Sequence, residues 1–397
     1  MRRKIAVIIE RADIALGGAE RSVFELATAF KEFGLEVDIL AAKGQTNFEN
    51  VHILCGRQPG KRVCYFTFAK TLEKYLAKNR YDIIHSVLPF DFADVYQPRG
   101  GSFAEAILRN AASYQNKFVE SYKRMTAFAN FRRTVLLRAE RKLCKEPDGP
   151  VIVAISKYVA EQFERHYNLD DKRLIVIHNG IKIDKRPDTA EANKLRAQML
   201  TQLQLKEADK PVFFLFVANN FRLKGLSVLI KAMQLAASCR TGWPGFLIVA
   251  GSGKTRKYHR LAKKLNLFSA DRKIIFLGPV RPIQNVLSIT DVAVLPTFYD
   301  PCSRYILEAL VANRPVITTK FNGATDLFVN NRHGKVIDNP ENITALAEAI
   351  GYFTNTDNIQ KASEAIIADN LKEEISISRV ARQLISVYDE ILEKRRR

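Results

Sequence analysis

The sequence predicts an α/β protein built from two doubly wound units in series. Short apolar runs rich in Val and Ile alternate with amphipathic stretches of helical period along most of the chain. Runs that are apolar at every position are typical of parallel strands with helices on both faces. A polar segment after Gly180 interrupts the alternation, which then restarts. Because ligands bind beyond the carboxyl ends of such strands, we expect two Rossmann-like domains that face a central cleft.

The first unit contains five apolar runs and four helical patterns before Gly180. The predicted strands are 5–10, 37–42, 82–87, 151–156 and 174–179, and the predicted helices are 18–34, 66–79, 103–145 and 157–168. We assign residues 1–183 to an N-terminal Rossmann-like domain. The last helical pattern, 376–397, is expected to return to this domain, and the polar residues 182–194 are interpreted as a linker.

The second unit repeats the alternation with six further apolar runs. The predicted strands are 212–218, 246–251, 273–278, 291–296, 315–319 and 334–338. A helical pattern or the start of one follows the runs, for instance KGLSVLIKAMQLAA after 212–218 and NITALAEAIGYF after 334–338. Residues 184–375 are therefore assigned to a C-terminal Rossmann-like domain, with a ligand expected beyond the carboxyl ends of its strands.

The net charge indicates which classes of partner the protein could bind, and the cysteine content indicates its redox compartment. Lys and Arg total 62 against 42 acids, a formal net charge of +20. Such an excess suits an anionic partner, which leaves open nucleic acid, an acidic membrane surface, phosphorylated substrates or a solvated basic surface. Five scattered cysteines without a CxxC pair indicate neither a zinc site nor a disulfide framework, so we expect the reducing cytoplasm.

The sequence carries no segment of the length and composition that membrane insertion requires. The apolar run after MRRK is too short for a signal peptide and is followed by Glu10, Arg11 and Asp13. No run approaches the roughly 18 apolar residues of a spanning helix. A basic nucleic-acid-binding protein is the alternative function from a different class. However, no RNA or DNA module is recognisable, and the charged residues are not interleaved with residues that stack on bases.

Three loops between a strand and a helix carry candidate phosphate-binding residues. Gly17 and Gly18 follow the first strand, where paired glycines let a backbone approach a ligand at a helix N-terminus. Arg222 and Lys224 follow the strand at 212–218, and two cations at a helix entrance suit a diphosphate. Gly251 lies in VAGSGK, which lacks the spacing of a Walker loop. Tight turns or an ordinary basic loop would give the same patterns.

The stretch DPCSRYILEALVANRPVI, residues 300–317, carries two acids in an apolar setting. Ser303 is a candidate N-cap, and Glu308 lies one turn further along a helix that is apolar on most sides. A buried carboxylate requires hydrogen-bond donors or a cation, and sugar hydroxyls are suitable donors. The backbone N–H groups of Ser303, Arg304 and Tyr305 would be free to hold a phosphate. A structural glutamate that caps a loop is the alternative.

These motifs, in this order, resemble the retaining GT-B glycosyltransferases of family 4 with their group 1 domain. The matching pieces are GGAER, HNGI, FRLKG, IVAGSG, FLGPV and the acid pair of 300–308, and they span nearly the whole chain. The resemblance implies that Glu308 binds the donor ribose, Asp300 the donor sugar, and Arg222 and Lys224 the diphosphate without a metal. It also implies that Gly17 and Gly18 close over the phosphate, with Gly251 and Val280 near the base. Asp300 departs from the glutamate that is usual there.

The first unit adds a resemblance to the lipopolysaccharide core glucosyltransferase I subgroup. In DIIHSVLPFDFADVYQPRGGSF this resemblance makes Asp94 a candidate contact for the acceptor or the transition state, whereas His85 is read as a core histidine. The subgroup implies UDP-glucose as donor and a glycan on an anionic lipid as acceptor. The same fold with a soluble acceptor, for instance a sugar phosphate, is the alternative.

Residues 117–145 form a basic amphipathic pattern with aromatic residues at helical spacing. Nine of these residues are Lys or Arg, and only Glu120 and Glu140 are acidic. A basic helix with aromatic side chains is typical of a membrane surface contact, although the apolar side could equally be core. We expect peripheral binding to the cytoplasmic face of the inner membrane. The candidate membrane or acceptor contacts are Arg99, Lys123, Arg124, Arg132 and Arg133.

Overall fold

The chain forms two compact units. The computed structural model describes residues 3–13, 17–45, 48–56, 63–169, 172–239, 242–267 and 273–396. Unit 1 comprises Met1–Ala111, Phe118–Lys182 and Ile375–Arg397, and unit 2 comprises Ala112–Lys117 and Ile183–Glu374. This division departs from the expected bounds chiefly at Ala112–Lys117, which the sequence placed in the N-terminal domain.

Thirteen strands are found in the described residues. Those of unit 1 are β1 Lys4–Ala12, β2 Glu36–Gly44, β3 Val51–Ile53, β4 Ile83–Ser86, β5 Val95–Tyr96, β6 Val151–Ala154 and β7 Leu174–Val176. Those of unit 2 are β8 Val212–Val217, β9 Gly245–Ala250, β10 Ile274–Gly278, β11 Val292–Leu295, β12 Val316–Thr319 and β13 Gly334–Ile337. The sequence pattern did not reveal β3 and β5, because three and two residues are too short to show a period.

Fifteen α-helices accompany the strands within the described residues. The first eight are α1 Gly18–Glu32, α2 Tyr65–Leu76, α3 Phe103–Ala112, α4 Lys117–Met125, α5 Phe131–Lys145, α6 Lys157–Tyr167, α7 Thr189–Leu203 and α8 Leu226–Ser238. The remainder are α9 Arg256–Lys264, α10 Ile283–Ser288, α11 Arg304–Val311, α12 Ile343–Tyr352, α13 Thr356–Ala368, α14 Leu371–Glu374 and α15 Ile377–Arg396. Among the described residues, no helix combines the length and the apolar character that crossing a bilayer requires.

Unit 1 is a parallel sheet with helices on both faces. The strand order is β3-β2-β1-β4-β5-β6-β7, and all the pairings are parallel. Strand β1 shows why its sequence is apolar at every position. Ile5 and Val7 belong to the core on the side of α1 and α15, whereas Ala6 and Ile8 belong to the core on the side of α2. Burial of both faces removes the alternation that a solvent-exposed sheet would show.

Unit 2 repeats this arrangement with six parallel strands in the order β10-β9-β8-β11-β12-β13. Strand β8, VFFLFV, is buried over its first five residues. In both units the order reverses next to the first strand, between β1 and β4 and between β8 and β11. Such a reversal is the topological switch point at which doubly wound sheets bind their ligands.

The terminal helix α15 packs against α1 within unit 1. The HNGI motif, residues 178–181, makes this docking possible because it contacts the N-terminal end of α15. A Cβ atom on Gly180 would lie 2.8 Å from the carbonyl oxygen of Ser376, Ile181 forms a bridge with Ser376, and Arg379 donates to the carbonyl of His178 at 2.8 Å. The motif therefore has a packing role in this chain.

Two expectations about helices were wrong. The segment 103–145 is three helices, because the left-handed turn at Gln115 (φ 57°) separates α3 from α4, and Asn130 caps α5 by accepting from the N–H of Arg133. The expected linker 182–194 contains the start of α7, which Asp188 caps by accepting from the N–H groups of Ala190 and Glu191. The sequence offered that signal, since Asp188 and Glu191 have the spacing of a capping box.

Candidate functional site

The principal candidate site lies in unit 2, beyond the carboxyl ends of β8 and β11. The loop after β8 carries Arg222 and Lys224, and the loop after β11 carries Asp300. Strands β8 and β11 are neighbours on either side of the switch point. The topology therefore brings together Lys224 and Asp300, which lie 76 residues apart in the sequence, as the carboxyl-end rule predicts.

Gly225 lets these two loops touch. Its φ of 82° is left-handed, and a Cβ atom there would lie 2.0 Å from the carbonyl oxygen of Pro296. No other residue type fits such an approach without a backbone shift. The loops are further joined by the N–H of Phe298, which donates to the carbonyl of Leu223 at 2.9 Å. The backbone at Lys224 is consequently held against the loop of Asp300.

Lys224 and Asp300 form a largely buried ion pair. Lys224 Nζ donates to Asp300 Oδ2 at 2.7 Å and to the carbonyl of Tyr299 at 2.8 Å, and the two charged side chains are 20% and 15% exposed. The backbone of Asp300 is anchored independently, because its N–H donates to Phe321 and its carbonyl accepts from Gly323. The pair thus places a cation and a carboxylate side by side on a fixed backbone.

The helix α11 carries the second acid of the predicted pair. Glu308 is 9% exposed, and its Oε1 accepts from Arg304 Nε at 3.1 Å, one turn earlier in the same helix. The cation that a buried carboxylate requires therefore comes from the motif itself. The apolar neighbours Ile306, Leu307 and Leu310 are fully buried, as the pattern predicted.

One expectation about the N-terminus of α11, the free N–H of Ser303, needs correction. Ser303 occupies the N-cap position, but its side chain makes no capping hydrogen bond, and its N–H already donates to Asn322 Oδ1 at 3.0 Å. It is therefore not free to hold a phosphate in this structure. The Tyr305 side chain is core, because its hydroxyl donates to the carbonyl of Leu215 in β8 and burial raises its pKa far above the usual range.

Arg222 lies at a contact that the sequence did not reveal. Its guanidinium carbon is 3.8 Å from the centroid of the Tyr114 ring, and its Nη1 donates to the hydroxyl of Ser113. Both residues belong to the segment Ala112–Lys117 of unit 2. No local pattern could signal this pairing, since more than a hundred residues separate the partners in the sequence.

Gly251 follows β9, which pairs with β8, and Val280 follows β10, which pairs with β9 on its other side. At Gly251 the φ of 128° and a Cβ position 1.8 Å from the carbonyl of Ala218 require glycine. Its N–H donates to the carbonyl of Gly278 at 2.8 Å, which ties the two strand ends together. Val280 is half-buried just beyond β10. Their contact with a nucleobase stays a prediction.

In unit 1, Gly17 and Gly18 lie where β1 leads into α1. Gly18 is the first residue of α1, and Gly17 precedes it with an extended backbone that any residue adopts (φ 176°). Ala15 and Leu16 of the same motif lie outside the described residues. The turn is flanked by the ion pair of Arg11 with Glu20 at 2.9 Å. A phosphate contact at this helix N-terminus stays a prediction.

Asp94 lies at the wrong end of the sheet for the acceptor contact that the resemblance implied. Its Oδ2 accepts from the N–H of Ile84 at 2.7 Å, and its Oδ1 accepts from Arg395 of α15. Ile84 pairs with Ala6 in the sheet, six residues before the end of β1 at Ala12. Asp94 directly precedes β5 and lies beside the amino end of β4, so it is not beyond the carboxyl end of either strand. Its carboxylate instead fixes α15, and burial raises its pKa.

His85 is a core histidine, as the sequence favoured. Its side chain is fully buried, its Nδ1 lies 2.7 Å from the hydroxyl of Tyr388, and burial lowers its pKa to about 3. Arg99 is also buried, at 9% exposure, and it donates to Asn179 Oδ1 at 3.3 Å. Arg99 therefore cannot contact a membrane surface, although it follows the carboxyl end of β5.

The helix α4 of unit 1 presents aromatic and basic side chains to solvent. None of its residues is buried, and Phe118, Tyr122 and Met125 are 89%, 61% and 76% exposed. Lys123 and Arg124 are exposed on the same helix. The apolar side of this segment is therefore not core, which was the alternative reading of the sequence.

The following helix α5 is mixed in character. Phe131 at its start is 70% exposed, but Val135 and Leu136 are buried in unit 1. Arg132 forms an ion pair with Glu10 of β1 at 2.6 Å, and its side chain is only 34% exposed. Arg132 is thus directed to the sheet, whereas Arg133 is half-buried next to the cap of the helix. The exposed aromatic surface is consequently that of Phe118, Tyr122, Met125 and Phe131.

Among the described residues, no cluster of three or more His, Cys, Asp or Glu side chains has the geometry of a metal site. The acids at the principal site each contact a cation of the chain, Asp300 through Lys224 and Glu308 through Arg304.

Two family models match the chain. The model described as Glycosyltransferase Family 4 matches residues 16–185, and the model described as Glycosyl transferases group 1 matches residues 201–370, so that together they match most of the chain. The chain belongs to glycosyltransferase family 4. The two unit 2 loops and α11, which hold the charged residues described above, all lie within the group 1 match.

Relatives and solved structures agree with this assignment. The glycosyltransferase is 21% identical to the lipopolysaccharide glucosyltransferase WaaG of Escherichia coli K12, and the match covers 84% of this chain and 85% of WaaG. It is 24% identical to an uncharacterized glycosyltransferase of Methanocaldococcus jannaschii over 60% of this chain, and it spans only 59% of that relative.

The fold is GT-B, because the chain superposes on the crystal structure of WaaG over nearly its whole length. That structure superposes with a TM-score of 0.74 at 17% identity and covers 97% of this chain and 99% of WaaG. The crystal structure of Anabaena HepE in complex with UDP-glucose superposes with a TM-score of 0.68 at 16% identity, covering 98% of this chain and 99% of HepE. At such identities the likeness establishes the fold alone.

Proposed function

We propose that this glycosyltransferase moves a hexose, with retention of configuration, from a nucleotide diphosphate sugar to a glycan acceptor on an anionic lipid. The observation that carries the donor half is the convergence of Arg222, Lys224, Asp300 and Glu308 at the switch point of unit 2. A diphosphate needs cations, and sugar hydroxyls need carboxylate acceptors. Unit 2 provides both on adjacent, rigid loops.

Each charged residue has a distinct part in this proposal. The guanidinium of Arg222 chelates diphosphate oxygens, and the ammonium of Lys224 supplies a point charge that neutralises the leaving diphosphate. The positive end of α11 faces the same anion through the N–H groups of Arg304 and Tyr305. Glu308 accepts from the ribose hydroxyls and Asp300 from hydroxyls of the transferred sugar. The leaving phosphate serves as the base for same-face attack by the acceptor.

The nucleotide is proposed to be UDP and the sugar glucose. Two relatives motivate this choice, since WaaG is a lipopolysaccharide glucosyltransferase and HepE has been crystallised with UDP-glucose. Gly251 and Val280 are the proposed neighbours of the base. The two cations Arg222 and Lys224 are proposed to take the place of a divalent metal at the diphosphate.

Ligand-dependent melting of the purified chain tests the donor site. A ligand that binds only the folded state raises the melting temperature. We expect UDP and UDP-glucose to raise it, GDP and ADP to have little effect, and EDTA to leave the shift unchanged. A larger shift with GDP or ADP would contradict the choice of UDP, and loss of the shift in EDTA would contradict metal-independent binding. No shift with any nucleotide would defeat the donor site.

The exposed aromatic surface carries the acceptor half of the proposal. Phe118, Tyr122, Met125 and Phe131 are unusually exposed for residues of their type, and α4 adds Lys117, Lys123 and Arg124. Aromatic side chains insert at the headgroup boundary, and each nearby cation contributes about 1 kcal/mol of attraction to an anionic leaflet. We propose that this surface holds the enzyme peripherally on the cytoplasmic face of the inner membrane, where a lipid-linked glycan is accessible.

Vesicle sedimentation tests this surface. We expect binding to vesicles with anionic lipid and little binding to neutral vesicles. Replacing Phe118, Tyr122 and Met125 by Ser should reduce binding at least tenfold, whereas replacing the exposed Val329 and Ile367 of unit 2 by Ser should not. Absence of vesicle binding by the unmodified chain would favour the alternative, a soluble acceptor such as a sugar phosphate. One relative over 81% of the chain is a D-inositol 3-phosphate glycosyltransferase.

A further inference from the structure

The segment Ala112–Lys117 belongs to unit 2, although the chain on both sides of it belongs to unit 1. A turn closes α3 here, with Gln115 in the left-handed region (φ 57°) and its N–H donating to the carbonyl of Ala112 at 3.1 Å. Left-handed backbone is uncommon outside Gly, Asn and Asp. The turn presents Ser113 and Tyr114 to Arg222, and Ser113 is 3% exposed.

Arg222 is held on its flat face and at one edge by this segment. The Tyr114 ring lies 3.8 Å from the guanidinium carbon, which is close contact for a cation over an aromatic face, and the Ser113 hydroxyl accepts from Nη1. Burial lowers the pKa of Arg222 slightly, but an arginine keeps its charge throughout the physiological range. Lys224, in contrast, contacts a carboxylate.

The backbone before Arg222 is fixed from the other side. Phe221 is 3% exposed, and its ring meets that of Tyr258 edge-on at a centroid distance of 5.6 Å. A Cβ atom on Gly253 would lie 2.6 Å from the Phe221 ring, so the glycine-rich loop after β9 packs directly on this side chain. The backbone at Arg222 is therefore held in place, and the Tyr114 ring determines the orientation of the guanidinium plane.

A guanidinium binds oxygen anions in the plane of its N–H groups. A ring stacked on its face fixes that plane, and a group already in the bound orientation loses less conformational freedom on binding. The long Arg side chain would otherwise lose the entropy of several rotatable bonds when a diphosphate binds. Tyr114 can thus increase diphosphate affinity although it need not contact the nucleotide.

We propose that Tyr114, supported by Ser113, is a positioning residue that holds the Arg222 guanidinium in the orientation that binds the donor diphosphate. This inference rests on the proposed function, because it takes Arg222 to be a diphosphate ligand. It assigns a donor-site role to a residue outside 183–374, the part of the chain that carries Arg222, Lys224, Asp300 and Glu308.

Calorimetric titration of the full chain with UDP and with uridine tests the proposal. Tyr114→Ala should weaken UDP binding about tenfold, the loss of a partly desolvated cation–π contact, and leave uridine binding unchanged. Tyr114→Phe keeps the ring and should stay within about twofold of the unmodified chain. Ser113→Ala should cost a few-fold in UDP affinity. Melting temperatures show that each variant is folded.

Tyr352→Ala is the matched control. Lys335 Nζ lies 4.1 Å from the Tyr352 ring, so this variant removes a comparable cation–π contact in the same unit, on α12 and β13. It should leave UDP affinity unchanged. If Tyr114→Ala binds UDP as the unmodified chain does, or weakens UDP and uridine equally, the positioning role is wrong. If the unmodified chain binds none of UDP, GDP and ADP, the proposed function itself fails, and the inference fails with it.

Discussion

Asp300 of unit 2 and Asp94 of unit 1 are two acids in similar surroundings with different positions. Each is largely buried, at 15% and 10% side-chain exposure, and each pairs with one cation, Lys224 and Arg395 respectively. Asp300 lies beyond the carboxyl end of β11, at the switch point of its sheet. Asp94 lies beside the amino end of β4, where it bonds to the N–H of Ile84.

The comparison teaches that position in the sheet, rather than ion pairing, separates a candidate site from a structural contact. Both cations stabilise a buried carboxylate. Only the Lys224–Asp300 pair lies at the edge where several loops of its sheet converge. It is accompanied there by a second cation, Arg222, and by a second ion pair, Arg304–Glu308 on α11. The other pair connects the end of α15 to the sheet of unit 1.

The largest effect is expected from removing a charge at the switch point. Lys224→Ala and Glu308→Ala should each lower turnover more than tenfold, because each removes a charged contact worth roughly 1.5–3 kcal/mol. Turnover is measured as UDP release from the nucleotide sugar that the unmodified chain accepts. Lys335→Ala, which removes a half-buried cation on β13 of the same unit, is the control and should change turnover little. Near-normal turnover of both Lys224→Ala and Glu308→Ala would contradict the assignment of these two residues to the site.

A matched pair of alanine variants tests the comparison directly. Asp94→Ala leaves the N–H of Ile84 and Arg395 without their carboxylate, and it should lower the free energy of unfolding by about 1–3 kcal/mol with little change in donor KM. Asp300→Ala should lower turnover about tenfold with a smaller change in stability. Urea unfolding and steady-state kinetics measure both quantities. A loss of turnover in Asp94→Ala that exceeds its loss of stability would restore Asp94 to the candidate site.

Much of the fold could be predicted because burial leaves a pattern in the sequence. The run IAVII predicts β1 because both of its faces are core, and the acids in DPCSRYILEA stand out against an apolar helix. The salt bridge of Glu308 was also visible in principle, since Arg304 lies four residues before it on the same helix. Local spacing is sufficient for contacts of this kind.

The misassignments concern contacts between distant parts of the sequence. Asp94 directly precedes β5, a strand of two residues whose register no pattern reveals, so its end of the sheet could not be inferred. The contact of Tyr114 with Arg222 depends on a turn at Gln115 and on the path of the whole chain. Such contacts are set by tertiary packing and carry no periodicity of their own.

Glu140 extends the comparison to an acid that is held by neutral donors. It is fully buried in unit 1, where its carboxyl accepts from the hydroxyls of Tyr96 and Tyr167 and from the N–H of Phe103. Burial raises its pKa to about 7, an effect that these three hydrogen bonds and the more distant His166 only partly offset. Asp300 and Asp94 each contact a cation, Lys224 and Arg395, whereas Glu140 contacts only neutral donors and burial opposes its ionisation.

The smallest expected effect is therefore a pH dependence of stability. Between the ordinary pKa of 4.5 and about 7, the folded chain holds a proton at Glu140 that the unfolded chain has released, so the free energy of unfolding falls as pH rises. The decline is on the order of 1 kcal/mol per pH unit. Glu105 acts with the opposite sign and only below pH 4.5. Burial opposes its ionisation, but His166, Arg109 and Arg165 lower its pKa to about 2.

Glu140→Gln isolates this contribution, since an amide keeps the shape and does not titrate. Urea midpoints measured from pH 4.5 to 7.5 should decline less steeply for this variant than for the unmodified chain, and the two should differ most at the alkaline end. The exposed Glu161→Gln on α6 controls for the loss of one charge and should follow the unmodified chain. Parallel curves for Glu140→Gln and the unmodified chain would mean that Glu140 is already ionised in the fold, and that neutral donors stabilise a buried carboxylate as well as Lys224 stabilises Asp300.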